Sequence, residues 1–160
     1  MDYILQLREL IGHRPLLMVG AAVLVLDSKN RLLLMRRSDS GYWGPPGGAT
    51  EPGERVEEAA RRETTEETGL IVGEMQLFGV FSGPELFYRY PNGDEVYNVT
   101  IVYLCRDFQF RPGHTQVQLN QEHTGFDWFS QADIPADISP PMRPALDQYR
   151  HTPLETPTKK

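Results

Sequence analysis

Apolar and polar positions divide this chain into several short strands and one well-marked helix. Leu16 to Leu26 is a run of Val, Leu and Ala with no polar face, which predicts a strand buried on both sides. Asp27-Ser28-Lys29-Asn30 is a turn cluster, and Arg31 to Met35 resumes as a second strand, so the two read as a hairpin. Ahead of them, Ile4, Leu7 and Leu10 or Ile11 fall at helical spacing, predicting a short helix from Tyr3 to Ile11 that ends at Gly12. Ser38 to Gly48 holds Pro45, Pro46 and four glycines and reads as a loop. Glu54 to Thr68 contains neither Gly nor Pro and is rich in Glu, Arg and Ala, the clearest helix in the chain. Gly69 follows in the position of a C-terminal cap.

Downstream, Leu70 to Phe81 predicts a strand pair or one bent strand. Pro91-Asn92-Gly93-Asp94 is a turn whose central Asn-Gly favours a hairpin. Glu95 to Cys105 alternates as a strand, with Tyr97, Val99, Ile101, Tyr103 and Cys105 on its apolar face. Arg111 to Gln121 is a polar loop, Phe126 to Phe129 a short strand, and Met142 to Tyr149 a last helix with Pro144 in its first turn. Thr152 to Lys160 reads as a loose tail. This order predicts a mixed α/β fold with a mixed sheet. The chain divides into an N-terminal helix over 1–14, one domain over 15–150 and a flexible tail over 151–160.

Composition narrows the function classes. The chain has 160 residues, the size of one domain with a substantial core. A formal net charge of −6 argues against holding polymeric nucleic acid by a basic field. An anionic substrate therefore requires a local positive charge, and a divalent cation is the simplest source. The single cysteine, Cys105, excludes an intrachain disulfide and fits a reducing, cytoplasmic setting. No apolar stretch is long enough to span a membrane, and the N-terminus lacks a signal pattern.

The candidate chemistry lies between Gly48 and Leu70, in GATEPGERVEEAARRETTEETGL. Glu63, Glu66 and Glu67 stand at i, i+3 and i+4, so their carboxylates project from one side of the helix. They lie beside Val56, Ala59 and Ala60, which predicts partial burial, and carboxylates buried together need a cation or an arginine. A solvated acidic face is the ordinary meaning of a Glu-rich helix. The preceding Trp43-Gly44-Pro45-Pro46-Gly47-Gly48 changes that, because adjacent glycines admit close backbone approach and offer a carbonyl as a hard ligand. Glu54 lies about two helical turns before Arg62, within pairing reach. Arg62, next to Glu63, is placed to hold the carboxylates apart.

These residues resemble the Nudix signature: Gly48, then Glu54, Arg62-Glu63-Thr64, Glu66-Glu67 and Gly69-Leu70 at the family's spacing. Thr64, where an aliphatic residue is usual, is the one departure, at a position that packs inward in the family. The resemblance covers roughly residues 17 to 136 and is MutT-like. It implies an α/β/α sandwich with a mixed β-sheet. It also implies hydrolysis of the pyrophosphate bond of a nucleoside diphosphate linked to another moiety, or of a nucleoside triphosphate, with Mg²⁺ as cofactor and Mn²⁺ as substitute. By position, Glu63, Glu66 and Glu67 are implied metal ligands, joined by a backbone carbonyl at Gly47 or Gly48. Glu66, Glu67 and Glu122 are the implied catalytic carboxylates, and Glu54 and Arg62 support the site.

Substrate contacts are expected from Arg36 or Arg37, which end a strand just before the glycine-rich loop and suit phosphate. Tyr88, in the aromatic segment Phe87 to Tyr90, is expected to meet the base or second group. His114 and His123 are assigned no role. The partner is a small nucleotide, with no membrane or polymer; a homodimer is compatible with the sequence. The alternative is a sensor module that binds a nucleotide without cleaving it. Such modules commonly lose the signature glutamates, all of which are present here. An isomerase on the same fold would need histidine ligands that the sequence does not place.

Overall fold

The computed structural model describes residues 2–156. The elements in chain order are α1 (Tyr3–Ile11), β1 (Leu16–Val25), β2 (Leu32–Arg37), β3 (Trp43–Gly44), β4 (Gly47–Ala49), α2 (Val56–Thr68), β5 (Leu70–Val72), β6 (Gln76–Phe81), β7 (Phe87–Arg89), β8 (Glu95–Cys105), β9 (Phe108–Phe110), β10 (His123–Phe129) and α3 (Arg143–Arg150). The central sheet is mixed, in the order β4-β1-β8-β6, with β7 sharing the outer edge of β8. β1 and β8 run parallel from Leu16↔Val96 to Val25↔Cys105, and the other pairs are antiparallel. A second sheet runs β10-β2-β3, and β5 pairs β9 alone.

Alternation along β1 divides the core in two. Ala21, Val23 and Val25 pack with Ala59 and Ala60 of α2 on one side. Ala22, Leu24 and Leu26 pack with Ala145, Leu146 and Tyr149 of α3 on the other. The result is an α/β/α sandwich with a mixed sheet.

α2 starts two residues later than its composition suggests. Arg55 is extended (φ −73°, ψ 145°), and its N–H donates to the Glu58 carboxylate at 3.1 Å. Gly69 closes the helix in the left-handed conformation (φ 72°), its N–H donating to Thr65 O at 2.9 Å. Only glycine takes that conformation without penalty. Thr64 is fully buried, and its hydroxyl donates to Ala60 O at 2.8 Å, so the polar atom at this inward position is satisfied.

Several expectations are corrected. β1 and β2 meet only at the bridge Leu26↔Leu32, because β8 and β4 occupy the edges of β1 while β10 and β3 take those of β2. The loop from Ser38 to Gly48 contains β3 and β4, whose backbones fill those edges. β5 and β6 do not pair with each other, since β5 turns to β9, a strand the sequence pattern did not mark. β1 is buried on both faces only from Ala21 onward; Leu17 and Val19 are exposed. β8 is likewise reversed in its first half. Val96, Asn98 and Thr100 are buried while Tyr97 is exposed, because α2 covers only the later part of the odd face. Of the expected tail, Leu154 packs against the core and Gln131 Nε2 donates to Thr152 O at 2.8 Å; residues 157–160 lie outside the described residues. No helix among the described residues is long and apolar enough to cross a membrane.

Candidate active site

β4 brings two adjacent glycines against α2, and their lack of side chains builds the site. A Cβ on Gly48 would lie 2.5 Å from the Glu63 carboxyl carbon, and one on Gly47 would lie 2.4 Å from Ala21 O. The Gly47 N–H donates to Glu67 Oε2 at 2.8 Å. Glu67 is only 3% exposed. Burial, assisted by the nearby Glu63 and Glu122 charges, raises its pKa to about 8 against the pull of the Gly47 N–H. Burial also raises the pKa of Glu63, with Arg62 opposing and Glu66 and Glu122 reinforcing.

Arg62 organises the outer side of this pair. It binds Glu54 through both carboxylate oxygens, at 2.7 and 2.9 Å, donates to Glu63 Oε1 at 2.7 Å, and donates to Ala49 O at 3.1 Å. Glu54 also accepts from Glu51 N–H at 3.0 Å, tying the loop to the helix. The planar guanidinium serves four oxygen acceptors on three residues at once, which an ammonium could not do with the same geometry.

These residues open onto a cleft of about 370 Å³. Gly47, Gly48, Glu63, Glu67, Glu122 and Arg37 all line it. Glu122 is exposed on the facing loop, held by its N–H to Asn120 Oδ1 at 3.0 Å and by Ser38 N–H to its carbonyl at 2.8 Å. Arg37 is paired with Asp39 at 2.9 Å. Three of the expected contacts stand elsewhere. The Glu66 side chain is 55% exposed on the rim, 3.5 Å from Arg62. Arg36 lies over the Trp43 ring and donates to Gly41 O. Tyr88 packs edge-on against Tyr90 at 4.9 Å, and it is Tyr90 that reaches the cleft.

Sequence reasoning missed other wall residues. His123 is nearly buried in the wall. Met18, Asn98 and Thr100 form the floor, and Ile4 of α1 flanks it. A polar pair at i and i+2 inside the otherwise apolar β8 was the available signal for Asn98 and Thr100.

The donors suit a hard divalent cation: buried carboxylates and backbone oxygens, with no soft ligand among them. Among the described residues no three His, Cys, Asp or Glu side chains converge on one point. The side chains that could hold such a cation are therefore Glu63 and Glu67, with a carbonyl of Gly47 or Gly48 beside them. Magnesium commonly binds in this manner.

The molecule is thus an α/β/α sandwich with a Glu-bearing helix laid across a glycine strand and opening on an acidic cleft. Residues 16–149 match the NUDIX domain, and the chain belongs to that family. It is 33% identical over 119 residues to nucleoside triphosphatase NudI of Escherichia coli O1:K1 / APEC, covering 69% of this chain and 80% of that one. It is 39% identical over 103 residues, 62% of its own length, to ADP-ribose pyrophosphatase of Methanocaldococcus jannaschii. That match spans 59% of the relative's length, and a match to another curated relative spans only 44%. Among solved structures, MutT NUDIX hydrolase from Burkholderia pseudomallei superposes with a TM-score of 0.67 at 28% identity, over 84% of this chain and 98% of that one. Family members generally use divalent cations.

Proposed function

We propose that the protein is a Mg²⁺-dependent pyrophosphohydrolase, with Mn²⁺ as substitute. Its substrate is a small nucleotide, either a nucleoside triphosphate or a nucleoside diphosphate linked to a second group. The observation that carries this reading is the pair of carboxylates against Gly47 and Gly48, Glu67 buried and Glu63 half-buried, with Glu122 facing them across the cleft. Two acids held in low-dielectric surroundings without an equal positive charge form a site that gains most from a cation. The relatives named for nucleoside triphosphate and ADP-ribose cleavage support the substrate class.

When bound, the cation supplies the charge that offsets the phosphate oxygens and activates water. The chain's own residues do the rest. Glu63 and Glu67 hold the cation, with Glu66 at the rim as an outer contributor. Arg62 and Glu54 keep Glu63 aimed inward. Arg37 meets a phosphate oxygen, and Glu122 accepts the proton that the attacking water gives up. Retention of all the signature glutamates favours hydrolysis over nucleotide sensing.

The test is pyrophosphate or phosphate release from a nucleotide panel with Mg²⁺. Glu67→Gln is expected to lower turnover at least ~100-fold. Its Tm in EDTA should be unchanged, because the carboxamide oxygen still accepts from Gly47 N–H. Glu122→Gln is expected to lower kcat with little change in KM. Near wild-type turnover in Glu67→Gln would remove the assignment, and an unchanged kcat in Glu122→Gln would remove its role as base.

A further inference from the structure

The central sheet has one face that its helix leaves partly bare. α2 packs on Ala21, Val23 and Val25 of β1 and on Tyr103 and Cys105 of β8. Ahead of it the same face continues along both strands and out to the sheet edge. The ladder sets Leu17 beside Tyr97 and Tyr97 beside Phe87, then Val19 beside Val99, then Ile101 beside Val80. Leu77 lies beside Tyr103. Paired residues share a face, and so do alternate residues along a strand. Met18, Gly20, Asn98 and Thr100 therefore point the other way, into the cleft, and the apolar rows form the back of the same strands.

Leu17, Val19, Leu77, Val80, Phe87 and Tyr97 are between 38% and 70% exposed. Half-buried Val99 and Ile101 join them into one surface. The Phe87 and Tyr97 rings meet at 5.1 Å within it. The six exposed side chains present on the order of 500 Å² of apolar area, as much as the largest patch on an ordinary monomer, and patches of that size mark contact sites. Tyr and Phe are also the residues enriched at the centre of such contacts.

Charge decides what fits this surface. Among the described residues, these strand rows carry charge only at one end, where Arg89 stands 3.9 Å from Glu95. At the other end Glu57 and Arg61 of α2 lie near Tyr103. Each end holds one acid and one arginine, and the middle holds neither. The chain as a whole carries −6, so two copies repel each other over most orientations. This face is free of that repulsion. A strongly charged partner finds nothing here to pair with, whereas a flat, apolar and locally neutral sheet is complementary to itself. A two-fold interface requires only that self-complementarity. Two such faces pressed together hide about 1,000 Å², the size at which specific interfaces begin. Sheets stack face to face in this way about 10 Å apart.

We propose that this bare sheet face is a homodimer interface, with Leu17, Val19, Tyr97, Phe87, Val80 and Leu77 packing on the same residues of a second copy about a two-fold axis. The interface lies behind the cleft, so the dimer forms whatever nucleotide the cleft accepts.

The test is the mass of the full chain in solution, by light scattering and sedimentation. At about 100 µM, above the micromolar dissociation constants that interfaces of modest area give, the wild-type protein should have twice the 18.2 kDa of one chain. The dimer should persist in about 1 M NaCl, where charge contacts are screened and apolar ones are not. Leu17→Lys on β1 and Val80→Lys on β6 should each weaken it roughly tenfold or more, because each buries an unpaired charge in the contact. Leu10→Lys, at an exposed position on α1 away from this face, should leave the mass unchanged. Circular dichroism establishes that each variant is folded, and the two strands are tested separately so that loss of one variant leaves the other. A monomeric wild-type protein at that concentration would overturn the proposal. So would a dimer that high salt dissociates, a dimer that the folded Leu17 or Val80 variant leaves intact, or a mass that climbs past two copies as concentration rises.

Discussion

At the scale of single residues, His123 illustrates how position overrides composition. Its Nδ1 lies 3.1 Å from Asn120 Oδ1, and because that oxygen accepts, Nδ1 carries the proton and Nε2 is bare. Burial, with the Arg37 charge adding to it, lowers the pKa of the imidazole to about 4. An unfolded histidine titrates at about 6.5. Between these values the unfolded chain binds the proton and the native chain does not. Stability is therefore full above about pH 6.5 and declines as pH falls toward 4. Thermal unfolding from pH 7 to 4 should show this decline, and His123→Gln should make it shallower; an equal slope in the two proteins would reject a buried neutral imidazole. The carboxylates of Glu63 and Glu67 were legible as a helical pair from spacing alone. The environment of His123 was not, because nothing local to residue 123 reveals how deeply it is covered.

At the scale of elements, β4 and α2 form one unit, and its two glycines are unequal. An alanine methyl at Gly47 would meet backbone, 2.4 Å from Ala21 O and 2.8 Å from Ala22 Cα. Overpacking of this kind costs about 1–3 kcal/mol, which is roughly 5 °C of Tm in a chain this size. At Gly48 the methyl would meet the end of the Glu63 side chain. That side chain is flexible and can shift, which displaces the carboxylate that Arg62 holds at 2.7 Å. Gly47→Ala is thus expected to act on Tm, and Gly48→Ala on turnover, by roughly tenfold or more, with Tm little changed. Calorimetry together with a pyrophosphate-release assay separates the two; equal effects of both variants on Tm would refute the distinction. The close approach was readable from adjacent glycines before a Glu-rich helix. The pairing of β4 with β1 was not, since three residues of Gly-Gly-Ala carry no strand pattern of their own.

At the scale of the whole molecule, α1 contributes to the cleft and hardly at all to the core. It has no buried residue. Arg8 anchors it, donating to Gly12 O, Arg14 O and Glu95 O at 3.0, 2.7 and 2.7 Å and standing 3.6 Å from Asp94. Asp2 and Ile4 then line the far end of the cleft. Deletion of residues 1–12 should leave Tm within about 3 °C, because little apolar area is lost from the core. It should raise KM for nucleotide more than it lowers kcat. A large fall in Tm would show that the helix is a structural brace.

The amino-acid sequence by itself determined what depends on near neighbours along the chain. It set the extent of α2 to within two residues, the Gly69 cap, the Asn-Gly hairpin before β8, and the common side of Glu63 and Glu67. These follow from helical period, left-handed turn chemistry and strand alternation, which the backbone imposes wherever the residues sit. Tertiary structure alone decided which strands pair and which face of each is covered. β1 leaves β2 for β8, eighty residues away, and α2 covers only part of the sheet. On the opposite face the α3 cluster reaches Val102 but not Asn98 and Thr100, which are left to line the cleft, while the loop after residue 111 carries Glu122 and His123 across to meet α2. A polar residue in a strand has no preference between faces until the neighbouring layer is in place, so the half of the cleft farthest from the glutamates was written in the packing rather than in the local pattern.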